Sequence, residues 1–230
     1  MNKTIEKICI SENQRLSKFG LSEHSFGNVS IRFNKILFYI KPSGIDVKKL
    51  KLGNCPLIDI NSGKVVNNSK FKPSVDTPTH LEIYKKFDSI KSISHCHSLF
   101  ATAWAQSSKP IPLLGTTHAD FWRNEIPIVK YLKKKQMTKY ELNTGKVICK
   151  KIINNNIDVK TCPGILVSGH AQFSWGTTYK KAVNNSNLIE YVAELAFLSL
   201  NIGVKKKIPS HISNFHFDRK NSKKKYYGQK

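Results

Sequence analysis

Apolar positions along this chain switch repeatedly between a period near 3.6 and a period of two, which predicts helices alternating with strands. Ile5, Ile8, Cys9 and Leu16 recur at helical spacing and predict an amphipathic first helix ending near Gly20. Residues 28–32 and 35–41 read as strands. The apolar pieces 56–60 and 64–66 flank the turn signal Asn61-Ser62-Gly63 and predict a hairpin. Thr77-Pro78 predicts a helix start, since proline is tolerated in the first turn, where its missing N–H has no partner to lose. That helix should run to about Phe87. Residues 90–97 then read as a strand, 98–106 and 138–154 as helices, and 164–176 as strand, turn and strand around His170. The longest helix is expected over 178–201, where Ala182, Ile189, Val192, Ala193, Ala196 and Leu200 form one stripe ahead of Gly203. No internal repeat or linker divides the chain, so the pattern predicts one α/β or α+β domain with a basic, tyrosine-containing tail.

At 230 residues and 40% hydrophobic content the chain can bury a substantial core. No stretch approaches the roughly 20 apolar residues of a membrane span, and Met1-Asn2-Lys3-Thr4-Ile5-Glu6-Lys7 leads into no apolar signal core. The expectation is a cytoplasmic protein without a membrane partner. The five cysteines are scattered and lack Cys-x-x-Cys spacing, so they are expected as reduced thiols. A net charge of +23 raises the question of nucleic acid. Of the 38 basic residues, however, only Arg15, Arg32, Arg123 and Arg219 are arginine, the residue suited to bidentate base and phosphate contacts. Lysine, asparagine and isoleucine share A/T-rich codons, so compositional drift of a solvated surface accounts for the charge. The lysine runs at 133–135, 205–207 and 223–225 lack interleaved aromatics, apart from Tyr226-Tyr227. No specific nucleic-acid partner is expected.

Candidate chemistry concentrates in histidines and carboxylates. His95 and His97 are two apart, so a strand would project both to one face, where two imidazoles can grip one ion. Asp76 upstream and His170 downstream complete a donor set that zinc accepts. Each residue also has a plain structural role open to it: Asp76 as a helix cap, His170 as a strand-end residue, and His80 and His118 as hydrogen-bonded histidines. A second constellation suits an anion. Gly27-Asn28, Lys41-Pro42-Ser43-Gly44 and Ser74 fall at strand-to-turn junctions, where glycine allows close backbone approach and Asn, Ser and Lys donate. Lys-Pro-Ser-Gly is equally compatible with a simple turn. Neither a Walker loop nor Gly-x-Gly-x-x-Gly is present.

Gly27-Asn28-Val29-Ser30, Lys41-Pro42-Ser43-Gly44, Asp76-Thr77-Pro78-Thr79-His80, His95-Cys96-His97, Gly115-Thr116-Thr117-His118-Ala119-Asp120 and Tyr226-Tyr227-Gly228-Gln229 together resemble the L-ribulose-5-phosphate 4-epimerases of the class II aldolase superfamily. The likeness runs nearly end to end. Leu81-Glu82, Ala103-Trp104-Ala105-Gln106, residues 140–146 and Lys230 look closest to the epimerases of L-ascorbate utilisation. The resemblance implies a single-domain α/β/α layered fold with a largely antiparallel sheet over residues 1–230, with 217–230 as a C-terminal segment completing the active site. It implies a homotetramer with active sites at subunit interfaces and a phosphorylated ketopentose as substrate. Asp76, His95, His97 and His170 are carried over as ligands of Zn²⁺. Asn28, Lys41, Ser43, Gly44 and Ser74 become the phosphate cradle, and Asp120 and Tyr227 of a neighbouring subunit the acid-base pair. His216 matches a further histidine near the site.

The implied reaction inverts C4 by breaking and re-forming the C3–C4 bond, with Zn²⁺ as Lewis acid on the ketose oxygens. Three departures stand out: Val75 where a second serine is usual, Phe26 for Trp, and Ala171-Gln172 for Gly-Pro. A fuculose-phosphate-type class II aldolase is the nearest rival, although that branch carries Glu where this chain has Asp76 and lacks the Tyr-Tyr-Gly-Gln ending. A drifted, non-catalytic anion-binding paralogue is the alternative of a different kind.

Overall fold

The computed structural model describes residues 2–22 and 26–222. Helix α1 (Lys3–Lys18) is capped by Asn2, whose Oδ1 accepts the N–H groups of Thr4 and Ile5. Strands β1 (Asn28–Arg32), β2 (Leu37–Ile40) and β3 (Leu57–Asp59) follow, then α2 (Thr77–Lys86), β4 (Ser92–Cys96) and α3 (Leu99–Gln106). A four-residue helix α4 (Thr116–Ala119) and the short β5 (Ile128–Val129) precede a 3₁₀ segment at Lys134–Lys139 and α5 (Tyr140–Asn154). Strands β6 (Gly164–Val167) and β7 (Gln172–Gly176), the long α6 (Lys181–Ile202) and α7 (Ser210–Asn221) complete the order.

The strands form one seven-stranded sheet in the order β3-β2-β1-β4-β7-β6-β5, antiparallel except where β5 meets β6. Side-chain alternation divides the core between its two faces. Phe38, Ile40, Ile93, Phe173 and Trp175 pack with Ile83, Tyr84, Ile148 and Ile152 beneath α2 and α5. Val29, Ile31 and Tyr39 turn the other way, onto Cys9 and Leu16 of α1. Farther along that second face, Leu166 meets Ala101 and Ala105 of α3 and Ile189 and Ala193 of α6. This is the expected α/β/α layering around a mostly antiparallel sheet.

Two close approaches fix the frame around the cleft described below. At Gly27, φ is +95°, and a Cβ would stand 2.8 Å from the carbonyl oxygen of His95, so the chain enters β1 hard against β4. At Gly145, a Cβ would stand 2.8 Å from Glu82 Cβ and 3.0 Å from Thr79 Cα, so α5 lies almost backbone to backbone on α2.

Several expectations need correction. Residues 64–66 form no strand; Val65 makes only an isolated bridge to Ile58, although Asp59 N–H to Lys64 O and Val66 N–H to Leu57 O do cover the outer edge of β3. Helix α7 occupies 210–221, a stretch for which the apolar pattern predicted no element. The expected C-terminal segment 217–230 therefore begins inside a helix, while residues 223–230, Tyr227 included, lie outside the described residues. No helix among the described residues is long and apolar enough to cross a membrane. Along β5, the other margin of the sheet, runs a groove of about 1250 Å³ that reaches α5 and is lined by Lys130, Lys133, Lys135, Lys146, Lys150 and Lys151.

Candidate active site

Strand β4 delivers His95 at its penultimate position, His97 follows just past its end, and His170 sits in the turn between β6 and β7. Because β7 pairs with β4 in register, with Phe173 opposite His95, the turn carrying His170 falls beside the end of β4. The three imidazoles stand with ring centroids 4.9 Å apart in each pairing, and one ligand nitrogen from each lies within 4.8 Å of the others. His95 is also stacked on Phe173 at 4.2 Å.

Asp76 stands at the N-terminus of α2 but makes no side-chain cap bond. Its carboxylate turns instead toward the histidines: Oδ2 accepts from Asn28 Nδ2 at 2.7 Å and lies 4.0 Å from His95 Nε2. The helical N–H groups of Thr79 and His80 are served by the Asp76 carbonyl. The capping alternative thus gives way to a carboxylate at the margin of the imidazole cluster. His80 and His118 take the structural places open to them. His80 Nδ1 bonds Ser30 Oγ at 2.7 Å, and His118 Nε2 donates to Asn124 O at 3.1 Å.

Electrostatics prepare this group to hold a cation. Burial lowers the pKa of all three imidazoles, that of His170 to about 4, with His95 adding to the effect, so each ring is neutral near pH 7 and offers a lone pair. For Asp76, burial acts to raise the carboxyl pKa. The facing His95 and His80, the Asn28 amide and His170 outweigh burial and hold it below the ordinary carboxylate range. Neutral imidazoles beside an ionised carboxylate are the donors a divalent metal requires. The residues fit such an ion. Asn28 Oδ1, buried at the same place, has no hydrogen-bond donor among the described residues.

The cluster opens into a cleft of about 230 Å³, which is also lined by Phe26, Gly27, Asn28, Lys41, Ser43, Gly44, Ser74, Val75, Tyr140 and Glu141. The two constellations read separately in the sequence thus share one cavity. Lys41 is 3% exposed, and among the described residues its Nζ makes one long bond, 3.4 Å to Pro42 O. Burial lowers its pKa, against the opposing pull of Asp46, Cys55 and Asp76. An ammonium so poorly satisfied calls for an anion.

Asp120 does not line this cleft. It ends α4 against α7, where Oδ1 lies 3.1 Å from His216 Nδ1 and 3.1 Å from an Arg219 guanidinium nitrogen, and Oδ2 lies 3.0 Å from Lys220 Nζ. Burial acts to raise its pKa, but the bonds from Lys220, His216 and Arg219 prevail and keep it ionised.

A family model for the class II aldolase and adducin N-terminal domain matches residues 9–197. The chain belongs to that family. Solved class II aldolase folds superpose on it at low sequence identity. An L-fuculose 1-phosphate aldolase is 23% identical with a TM-score of 0.78, covering 95% of this chain and 97% of its own. An aldolase II superfamily protein from Pseudomonas syringae is 13% identical (TM-score 0.76, 96% and 86% covered). A sugar-phosphate aldolase from Thermotoga maritima is 19% identical (TM-score 0.68, 91% and 100% covered). Likeness at this identity speaks for the fold. Class II aldolases are generally enzymes, lyases or epimerases, that depend on a divalent metal, and the histidine cluster here is of the kind that could hold such an ion.

In the sequence Phe26 and Gln172 stand out only as departures, and Tyr140 and Glu141 only within 140–146. Their places are structural findings: Tyr140 Oη bonds His170 Nδ1 at 2.9 Å, Glu141 lines the cleft, the exposed ring of Phe26 lies 5.7 Å from that of His97, and the Gln172 carbonyl receives His95 Nδ1 at 2.8 Å. A backbone acceptor leaves no mark in sequence. Tyr140 stands in a lysine-rich stretch with nothing in its spacing to set it apart.

Proposed function

We propose that this class II aldolase-family chain is a zinc-dependent L-ribulose-5-phosphate 4-epimerase, interconverting L-ribulose 5-phosphate and D-xylulose 5-phosphate. The observation that carries the reading is that three neutral imidazoles and one under-satisfied buried ammonium open into the same small cleft. At about 230 Å³ it is smaller than the roughly 300–1,000 Å³ of drug-sized ligand sites and suits a small anionic metabolite.

In this reading Lys41, Asn28, Ser43, Gly44 and Ser74 hold the phosphate and so fix C4 and C5 of the ketose. His95, His97, His170 and Asp76 would hold the metal, which supplies Lewis-acid stabilisation of negative charge on the ketose oxygens. A base takes the proton of the C4 hydroxyl, the C3–C4 electron pair moves toward the C2 carbonyl, and glycolaldehyde phosphate separates. Rotation of that aldehyde presents its other face, the bond re-forms, and an acid on the opposite side returns a proton to the C4 oxygen. Asp120, kept ionised by its bonds to Lys220, His216 and Arg219, suits the first role and Tyr227 the second, or the reverse for the other epimer. Since Asp120 does not line its own chain's cleft, the proposal includes a homotetramer in which each cleft receives Asp120 and Tyr227 from a neighbour.

The structural likeness to fuculose-phosphate aldolase favours a second reading, net cleavage. Incubating zinc-loaded protein with L-ribulose 5-phosphate and separating the products decides between them. D-xylulose 5-phosphate without accumulating fragments is expected. Net glycolaldehyde phosphate would make the protein an aldolase, and unreacted substrate would remove both readings.

A further inference from the structure

His95 and His170 are braced from behind by different partners. His95 Nδ1 lies 2.8 Å from Gln172 O. A carbonyl only accepts, so Nδ1 carries the proton, and the lone pair stays on Nε2, the nitrogen 4.0 Å from Asp76 Oδ2. His170 Nδ1 faces a hydroxyl instead, Tyr140 Oη at 2.9 Å, with ring centroids 5.7 Å apart. A phenol can donate or accept, and the two choices have opposite outcomes. If Tyr140 donated, the proton of the neutral ring would sit on Nε2 and close that nitrogen to a metal. If it accepts, Nδ1 holds the proton and Nε2 is free.

We propose that Tyr140 is a positioning residue for the third imidazole: its oxygen accepts the Nδ1–H of His170, sets the rotation of the ring and leaves Nε2 as the donor atom. This rests on the reading of His95, His97 and His170 as a metal site. The brace is itself anchored. Tyr140 opens α5, and Thr144 Oγ1 donates to the Tyr140 carbonyl at 2.9 Å. One residue on, the Glu141 carbonyl accepts Thr79 Oγ1 at 2.6 Å, which ties the start of α5 to α2, and the contact at Gly145 locks the pair. Asp76 begins that same α2. The carboxylate and the brace of the last imidazole are therefore carried by one rigid helix pair, while β4 and the β6–β7 turn carry the rings. With Nδ1–H accepted, the phenol proton of Tyr140 points to a partner other than His170, and the cleft that Tyr140 lines is open to supply one.

The test uses the full chain stripped of metal and titrated with Zn²⁺ against a chromogenic chelator. Tyr140→Phe keeps the ring and removes only the oxygen, so it should bind Zn²⁺ about 10- to 100-fold more weakly, as losses of such outer partners do. Its metal-free melting temperature should stay at the wild-type value. His170→Asn should lose more affinity than Tyr140→Phe. ¹⁵N-detected imidazole spectra of the metal-free wild type should show His170 protonated at Nδ1. Wild-type affinity in Tyr140→Phe, or an Nε2-protonated His170, overturns the role of Tyr140 and leaves the metal site standing. No Zn²⁺ binding by the wild type, or none lost in His170→Asn, overturns the metal site as well.

Discussion

Val75 is 65% exposed at the mouth of the cleft, beside a buried Ser74. Where a hydroxyl there would donate to a phosphate dianion, it would contribute about 1.5–3 kcal/mol, roughly 10- to 100-fold in binding. Val75→Ser should therefore lower KM for L-ribulose 5-phosphate and leave kcat nearly unchanged, because the phosphate is held alike in ground and transition states. A steady-state comparison showing an equal or higher KM in the folded variant would mean that backbone groups and Lys41 already saturate the anion. Residues of this kind differ in how far sequence exposes them. His95 and His97 are legible because strand geometry turns a spacing of two into a shared face. Asp76 is legible only as one of two roles, and the Asn28 amide across 48 positions of sequence decides between them. The cations that keep Asp120 ionised, Arg219 and Lys220, are invisible among 38 basic residues until α7 folds back onto α4.

Elements were legible in proportion to the number of apolar repeats they contain. Helices α1, α2, α5 and α6 show several turns of pattern, and β4 and β7 show full alternation. The four residues of α4 and the two of β5 are too short to display any period, and α7 buries only Ser213 and Phe217. The tightest junction between elements is at Gly145. Gly145→Ala gains helix propensity, about 1 kcal/mol, but sets a methyl 2.8 Å from Glu82 Cβ and 3.0 Å from backbone atoms of Thr79. Overpacking costs about 1–3 kcal/mol, so the net effect should be a destabilised protein. Thermal melts should show a lower Tm, with weaker Zn²⁺ binding in parallel, since the variant pries apart the helices that carry Asp76 and Tyr140. A raised Tm would show that the helices part without strain.

The whole molecule should respond to acid through its buried histidines. Burial holds His118 to about 4 and His80 to about 3, against the ordinary 6.5. Below pH 6.5 the unfolded chain takes up protons that the folded chain refuses, so protons favour unfolding. Stability of the metal-free protein should be level above pH 7 and fall as pH drops from 6.5 toward 4, each pK unit of depression contributing about 1.4 kcal/mol. Urea melts across that window should show a shallower decline for His118→Asn. An identical slope would assign the acid sensitivity elsewhere.

Assembly gives a separate test. If each cleft borrows Asp120 and Tyr227 from another chain, inactive His97→Asn and Tyr227→Phe subunits refolded together should regain part of the activity. Mixed oligomers of verified mass that stay inactive would end the shared-site reading.

The two margins of the sheet are finished differently. The edge of β3 is covered by the returning backbone at 64–66, whereas the groove along β5 is lined in part by Lys130, Lys133 and Lys135 from the chain after β5 and by Lys146, Lys150 and Lys151 of α5. A strand edge invites another strand, and an approaching copy of this chain would bring the same row of like charges to meet its own. The lysine surplus would then have a use that calls for no anionic partner, keeping sheets from pairing edge to edge. Exhaustive lysine acetylation should expose this as rising light scattering from a protein that is still folded, and a clear solution at equal concentration would return the lysines to mere drift.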